Sequence, residues 1–511
     1  MDAERPGANG NHSVESAFLK DDDRRGLDGV GPLMHTPTTS SAAPRATCTP
    51  TAPSSCRHRS LAVVALLALS ALTISACDTV KSSVDSTVDA ITPRERPSGP
   101  RDVDVLKREP DIRVRIARQG QSQNVAGPEK FVLRPTSGTA TSPAHSARAV
   151  PGPLTITSSD KGVRTIDGSG QTLDWGFSVD LDVLASDGTP DGAAEAPGES
   201  IRLDGRLIPG FLTFRPRWGD NASRFDIIAT MPIESYLPGV LSKELYKDWP
   251  RQTFEAQAVA ARTYALQERQ RARSEAKVSD VEDSTADQVF GGTGTLMVAV
   301  EAAHATRGWT LTDQGRLIRA YFSSQCGGRP ASAAEVWSVR SIPLFNQIDI
   351  LQGKPRQTYC QRSPLYRWTV TRTADDFNKR LRAWGRAKGN ELGQLSRVRS
   401  IEPKTRNEAK RPTRYTITGD NGREYAVAAE ELREACNWPV EGLAPITREN
   451  RLHSGDVEIS IYANDVRVLG RGFGHGVGMC QWCAKGMAES GMDWRSMVEQ
   501  FYPGVDVRKL Y

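Results

Sequence analysis

The sequence predicts an α+β fold, with a β-rich amino-terminal region followed by a mixed region built on buried, alanine-rich helices. Between residues 111 and 230, short runs alternating apolar and polar residues recur with Gly and Asp at the turns, as half-buried strands do. From Phe254 onward, Ala258, Ala261 and Ala265 recur at helical spacing, with side chains small enough for a neighbour to approach the backbone closely. Beyond Trp309, strand-like and helix-like stretches alternate up to a glycine-rich carboxyl-terminal segment.

With 511 residues, 38% hydrophobic and 25% charged, the chain can bury the cores of two or three domains. The net charge of +5 is mild, and its positive residues are mixed with acidic ones without aromatic interleaving, which argues against a nucleic-acid partner. One apolar run, Leu61 to Ile74, follows Arg57, His58 and Arg59, is short for a membrane span, and ends in small residues before Cys77. This pattern resembles a bacterial lipoprotein signal peptide with Ile74, Ser75, Ala76 and Cys77 as its lipobox. The resemblance implies lipidation of Cys77 and an exported protein anchored to the cell membrane or outer membrane, acting in the envelope. An ordinary signal peptide or a signal anchor is the competing reading. Residues 1–59 then read as a disordered extension with a possible start at Met34, 60–77 as the signal peptide, and 78–110 as a flexible tether.

In order along the chain, IRVRIARQ and KFVLRP are strands, separated from the next ones by a loop insertion at Ser137–Gly152. LTITSS, VRTIDG, QTLDWGFSVDLDVL, IRLDGRLIPGFLTFRPR and RFDIIATM continue the strand pattern without clustered His, Cys or paired acids, which suits a scaffold. The stretch Glu234–Leu266 reads as an acidic turn feeding the alanine-rich helix, with Asp248 as its cap and Pro250 in its first turn. Glu244 stands just before that helix beside Leu245, Tyr246 and Trp249, and apolar surroundings of this kind raise a carboxyl pKa. A polar loop at Asp283–Gly292 precedes a second helix, VAVEAAHATRG, ending at Gly308. Next comes a hairpin turning at Asp313–Gly315, whose second strand delivers Ser323, Ser324 and Cys326 to a glycine turn. From Tyr366 to Val440, strands RWTVTRT, RVRSIEPKT and TRYTITGD alternate with helices FNKRLRAWGR and EELREACNW. Glycines 470, 472, 474, 476 and 478 then let backbone or ligand approach one side of the final segment.

Four ordered blocks, YLPGVLSKEL, EAQAVAARTYAL, DSTADQVFGG and RGFGHGVGMCQWCAKGMA, resemble those of the SpoIID family. This is the stage II sporulation protein D group of peptidoglycan lytic transglycosylases, which includes the amidase-enhancer LytB proteins. The resemblance runs from about Asp111 to the end, the β region in texture only. It implies a β-rich part at 111–230, a catalytic core at 231–511, and cleavage of glycan strands between MurNAc and GlcNAc to leave a 1,6-anhydro sugar. Glu244 occupies the family's glutamate position, which implies a general acid/base. One carboxyl suffices where the sugar's own C6 hydroxyl, and not water, attacks C1. The contrary reading makes Glu244 a structural carboxyl paired with Arg262. Glu234, at the end of a strand, is taken as structural. Arg262 and Tyr264 are candidates for positioning Glu244 or contacting glycan, Gln288 and Gln481 for sugar hydrogen bonds, and His475 for substrate positioning in an exposed cleft. A second class of function is a non-catalytic glycan-binding module that enhances a cell-wall amidase.

Five cysteines follow Cys77: Cys326, Cys360, Cys436, Cys480 and Cys483. Cys480-x-x-Cys483 has zinc-knuckle spacing and needs two further ligands, and it departs from the small residue and Gly that the family commonly has there. Some family members place metal-binding cysteines at the CGG turn, so a structural zinc on Cys326, Cys360, Cys480 and Cys483 is the leading reading. Disulfides formed in an oxidising compartment compete with it.

Overall fold

The structure, a computed structural model, describes residues 106–511 apart from 121, 128, 137–145, 160–161, 177–178, 187–200, 204, 218–223, 285–286, 294–295 and 338–342. The expected extension, signal peptide, lipidated Cys77 and most of the tether and the 137–152 loop therefore lie outside the described residues. Within them the fold is α+β, and no helix is long and apolar enough to cross a membrane.

The amino-terminal region forms two sheets. The first runs in the order 281–282, Asp111–Gly120, Phe225–Pro232, Phe211–Pro216, Leu181–Ser186, Lys130–Pro135, Arg148–Pro151, antiparallel except where Val114 pairs with Val281. The second holds Arg206–Ile208, Ile201–Leu203, Ser122–Ala126, Leu154–Ser159, Gly162–Ile166 and Thr172–Gly176. The strand-patterned run QTLDWGFSVDLDVL holds two strands that lie in different sheets. Alternation along one run cannot reveal that its halves pair with different partners.

Helix α1 (Ile233–Glu244) follows directly from the strand ending at Pro232, so the predicted acidic turn is a helix despite Pro238 inside it. Propensity is overridden by packing, because Tyr236, Leu237, Val240 and Leu241 are all fully buried. Helix α2 (Arg251–Ser274) then runs through the centre of the core, with Thr253 to Leu266 buried without a break. A helix buried on every side has no polar face, and the alanines let α1, α3 (Met297–Ala305) and the strand Trp309–Asp313 close in on it. Its N-cap is Pro250, in extended conformation and without a side-chain cap, so Asp248 does not serve that role.

The hairpin turns where expected, with positive φ at Gln314 and Gly315, as a two-residue hairpin turn of this hand requires. Its second strand ends at Leu317, and Phe322–Ser323 pairs separately and in parallel with Met479–Cys480. The short helix α4 (Ala333–Val336) follows. Next, α5 (Ala374–Lys388) and α6 (Ala429–Cys436) pack with the sheets Trp368–Thr373/Asp465–Gly470/Val457–Ile461 and Val398–Arg406/Pro412–Gly419/Glu424–Ala428. These elements bury a second core around Trp368, Phe377, Leu381, Trp384, Tyr415 and Leu432. The range 231–511 thus contains two hydrophobic cores. Helices α7 (Gln481–Glu489) and α8 (Trp494–Phe501) return to the first core and pack on α2.

Gly239 marks a tight crossing, since a Cβ there would stand 2.1 Å from the Gly292 carbonyl oxygen and 2.6 Å from the Phe290 ring. Gly239→Ala is expected to lower stability by about 1–3 kcal/mol, the usual cost of overpacking, measured by denaturant unfolding.

Candidate active site

Three chain segments meet at Glu244. It is the last residue of α1 and only 2% exposed. Gln481, the first residue of α7, donates from Nε2 to Glu244 Oε2 at 2.9 Å and to Gln257 Oε1 of α2 at 3.3 Å. An aromatic cluster adjoins them, with the Tyr246 ring 5.3 Å from that of Trp249, and Trp249 5.1 Å and edge-on from Trp482. The side chain that meets Glu244 from the carboxyl-terminal segment is Gln481.

The other nominated residues are built into the interior. Arg262 is fully buried and grips Glu234 with Nε and Nη2, each at 2.8 Å, and donates to the carbonyls of Ala303 and Trp309 at 3.2 Å. The pairing of Arg262 with Glu244 is thereby overturned, as is the placing of Glu234 at a strand end: it lies in the first turn of α1. Glu234 also accepts from Gly308 N–H and the Tyr511 hydroxyl. Burial would raise the Glu234 carboxyl, but the Arg262 charge and these hydrogen bonds hold it below its ordinary value. Tyr264 donates to Asp287 at 3.0 Å and accepts from Arg319 at 3.2 Å. Gln288 accepts from the Tyr236 hydroxyl at 3.1 Å and donates to the Ala261 carbonyl at 3.4 Å. Arg262, Tyr264 and Gln288 therefore face protein and not an open cleft.

His475 is likewise buried, which corrects the expected exposed cleft. Val477 N–H donates to its Nδ1 at 3.0 Å, so Nε2 carries the proton and donates to the Phe322 carbonyl at 3.0 Å. The glycines around it take positive φ, 93° at Gly474 and 77° at Gly476, and serve to wrap backbone round the imidazole. Its ring lies 5.2 Å from Trp337, which stacks 4.1 Å from Tyr321. Gln257 and Trp482 were not nominated from sequence. An amide inside an otherwise apolar buried run was the available signal for Gln257.

Cys326, Cys360, Cys480 and Cys483 form a buried cage, their sulfurs all within 4.8 Å of one another and none in a disulfide. Cys326 Sγ lies 4.0 Å from both Cys360 Sγ and Cys483 Sγ, close to the spacing of about 3.8 Å that a tetrahedral tetrathiolate zinc requires. Hydrogen bonds from the thiols of Cys360, Cys480 and Cys483, together with the Arg356 charge, hold the Cys326 thiol well below its usual value. Four soft donors converging on one point could hold a metal ion. Cys436 is apart, in the second core, its thiol pushed up to about 12 by burial.

Residues 221–312, spanning all of α1, α2 and α3, match the sequence family described as Stage II sporulation protein, and residues 333–478 match a domain of unknown function, DUF8618. An uncharacterised protein of Brachyspira hyodysenteriae is 29% identical over 310 residues, 60% of this chain and 74% of that protein. Stage II sporulation protein D of Bacillus subtilis is 28% identical, over 55% of this chain and 75% of its own. The amidase enhancer of the same organism is 26% identical over 52% of this chain, which spans only 39% of that longer protein.

Removing one partner of a buried ion pair leaves a charge uncompensated, so Glu234→Gln is expected to cost about 3–5 kcal/mol at neutral pH by denaturant unfolding. Because the folded-state value of Glu234 is depressed, its stabilisation is present above the ordinary carboxylate range and is lost as pH falls through the lower folded value. As pH falls below the ordinary carboxylate range the wild type should lose stability more steeply than Glu234→Gln, followed by denaturant unfolding at successive pH values.

Proposed function

Because the chain belongs to the SpoIID family, we propose that it is a peptidoglycan lytic transglycosylase with Glu244 as its single general acid/base. The observation that carries this reading is the meeting of Glu244, Gln481 and Gln257 beside a cluster of aromatic rings. Burial disfavours the charged form of a carboxyl, and a proton donor must start neutral. Gln481 donates to Oε2, and the protonated carboxyl carries the proton to be transferred. Glu244 gives this proton to the glycosidic oxygen as the bond to C1 of MurNAc breaks, and the leaving GlcNAc takes it as a hydroxyl. The carboxylate then removes the C6 hydroxyl proton as that oxygen bonds to C1, which closes the 1,6-anhydro ring and restores the acid without consuming water.

Zinc is the metal proposed for the cage, held by Cys326, Cys360, Cys480 and Cys483 and serving to tie three segments together with no part in bond cleavage. The protein is further proposed to act in the envelope, lipid-anchored through Cys77. A second reading, a non-catalytic enhancer of a cell-wall amidase, is supported by the relative of that name and by the closure of Glu244 from solvent.

Glu244→Gln keeps the shape and removes the proton donor. Anhydro-MurNAc release from purified glycan, read by mass spectrometry, should fall by about 10²–10⁴-fold. Equal release by both forms rejects Glu244 as the acid; no release by the wild type, with undiminished stimulation of an amidase by the variant, favours the enhancer. Metal analysis of the reduced full-length chain should find one zinc per molecule, lost in Cys326→Ser; a metal-free, folded wild type would exclude zinc.

A further inference from the structure

The two residues enclosed by Cys480 and Cys483 are Gln481 and Trp482, and both touch the surroundings of Glu244. Cys480 is at once the N-cap of α7 and a corner of the cage. Its sulfur accepts the N–H groups of Cys326 at 3.3 Å and Cys483 at 3.4 Å, so the turn is folded around it. The Trp482 N–H reaches back to the Ser324 carbonyl at 3.1 Å, tying the same turn to the segment that supplies Cys326. From this turn the Gln481 amide reaches Glu244 and Gln257, and the Trp482 ring meets Trp249. One peptide bond therefore separates a cage sulfur from the residue that holds the carboxyl.

We propose that Gln481 is a positioning residue for Glu244 and that the metal-filled cage is what holds it there. Zinc fixes Cys480 and Cys483 against Cys326 and Cys360, and so fixes where α7 starts and where the Gln481 amide points. Without the ion, the four sulfurs have no common ligand, the turn gains freedom, and the Gln481–Glu244 contact loosens. The effect on turnover rests on the transglycosylase reading, whereas the coupling between cage and carboxyl does not.

The test uses the full chain, zinc-loaded and kept reduced, with and without subsequent chelation. The side-chain amide resonance of Gln481, identified by its loss in Gln481→Ala, should shift in Glu244→Gln and should also shift when zinc is removed from the wild type. An amide signal indifferent to zinc would overturn the coupling whether or not the protein is an enzyme. In glycan cleavage, chelation should lower kcat by roughly 10- to 100-fold with little change in KM, reversed on adding zinc. Loaded Gln481→Ala should show a similar loss and lose little more on chelation, since both changes break the same link. Losses that multiply would mean that the cage acts through fold stability alone and would overturn the proposal. Cys483→His keeps a metal donor while displacing the turn, and should retain zinc yet show the same kcat loss; full activity in that variant would count against the coupling.

Discussion

A stretch of helix without a wet face must turn to protein partners for its polar groups, and the first core is arranged round this requirement of residues 253–266 of α2. Fourteen successive residues, Thr253 to Leu266, are buried. The alanines among them cost nothing in polarity, but Gln257, Arg262 and Thr263 must be satisfied internally. Arg262 is answered by Glu234, the Thr263 hydroxyl by the Val259 carbonyl and the Leu311 N–H, and the Gln257 side-chain oxygen by Gln481. These partners come from the start of α1, from the strand at Trp309 and from the distant α7. The helix thereby dictates which remote segments meet at its surface.

The same logic places the candidate acid. Glu244 ends α1, whose other end is clamped through Glu234 to Arg262, and α1 spans the interval between a buried ion pair and the Gln481 contact. The two acids ten residues apart thus have different partners: Glu234 faces the full positive charge of Arg262 and is held ionised, while Glu244 accepts from the Gln481 amide. A carboxylate locked in a bidentate ion pair is ill suited to carry a proton, and this is the physical ground for separating their roles.

The second core is joined both to the glycine segment and to the turn at residues 329–330. Arg411 donates to the Arg329 carbonyl at 3.2 Å and lies against Gly476, Asn407 reaches the Pro330 carbonyl at 2.9 Å, and Gly474 N–H meets the His453 carbonyl at 3.0 Å. The wrapped imidazole of His475, itself within the range matching DUF8618, is therefore braced from the second core as well as from the first. Glycine alternation there serves close backbone packing, and an exposed cleft is the wrong inference from it.

Much of this was legible in the residues themselves. Alternation gave the strands, alanine spacing gave a buried helix, and the Cys480-x-x-Cys483 spacing gave half of the cage, Cys326 being added by the family resemblance at the CGG turn and Cys360 as the cysteine downstream of it. Those features arise from local periodicity or from side-chain chemistry that a linear sequence displays. The helix through Pro238, the division of one alternating run between two sheets, the choice of Glu234 over Glu244 by Arg262, and the burial of Tyr264, Gln288 and His475 were decided by tertiary structure alone. Each depends on which remote segment occupies the neighbouring space, and a buried charge or amide takes the partner that packing brings within about 3 Å, whatever lies near it in the chain.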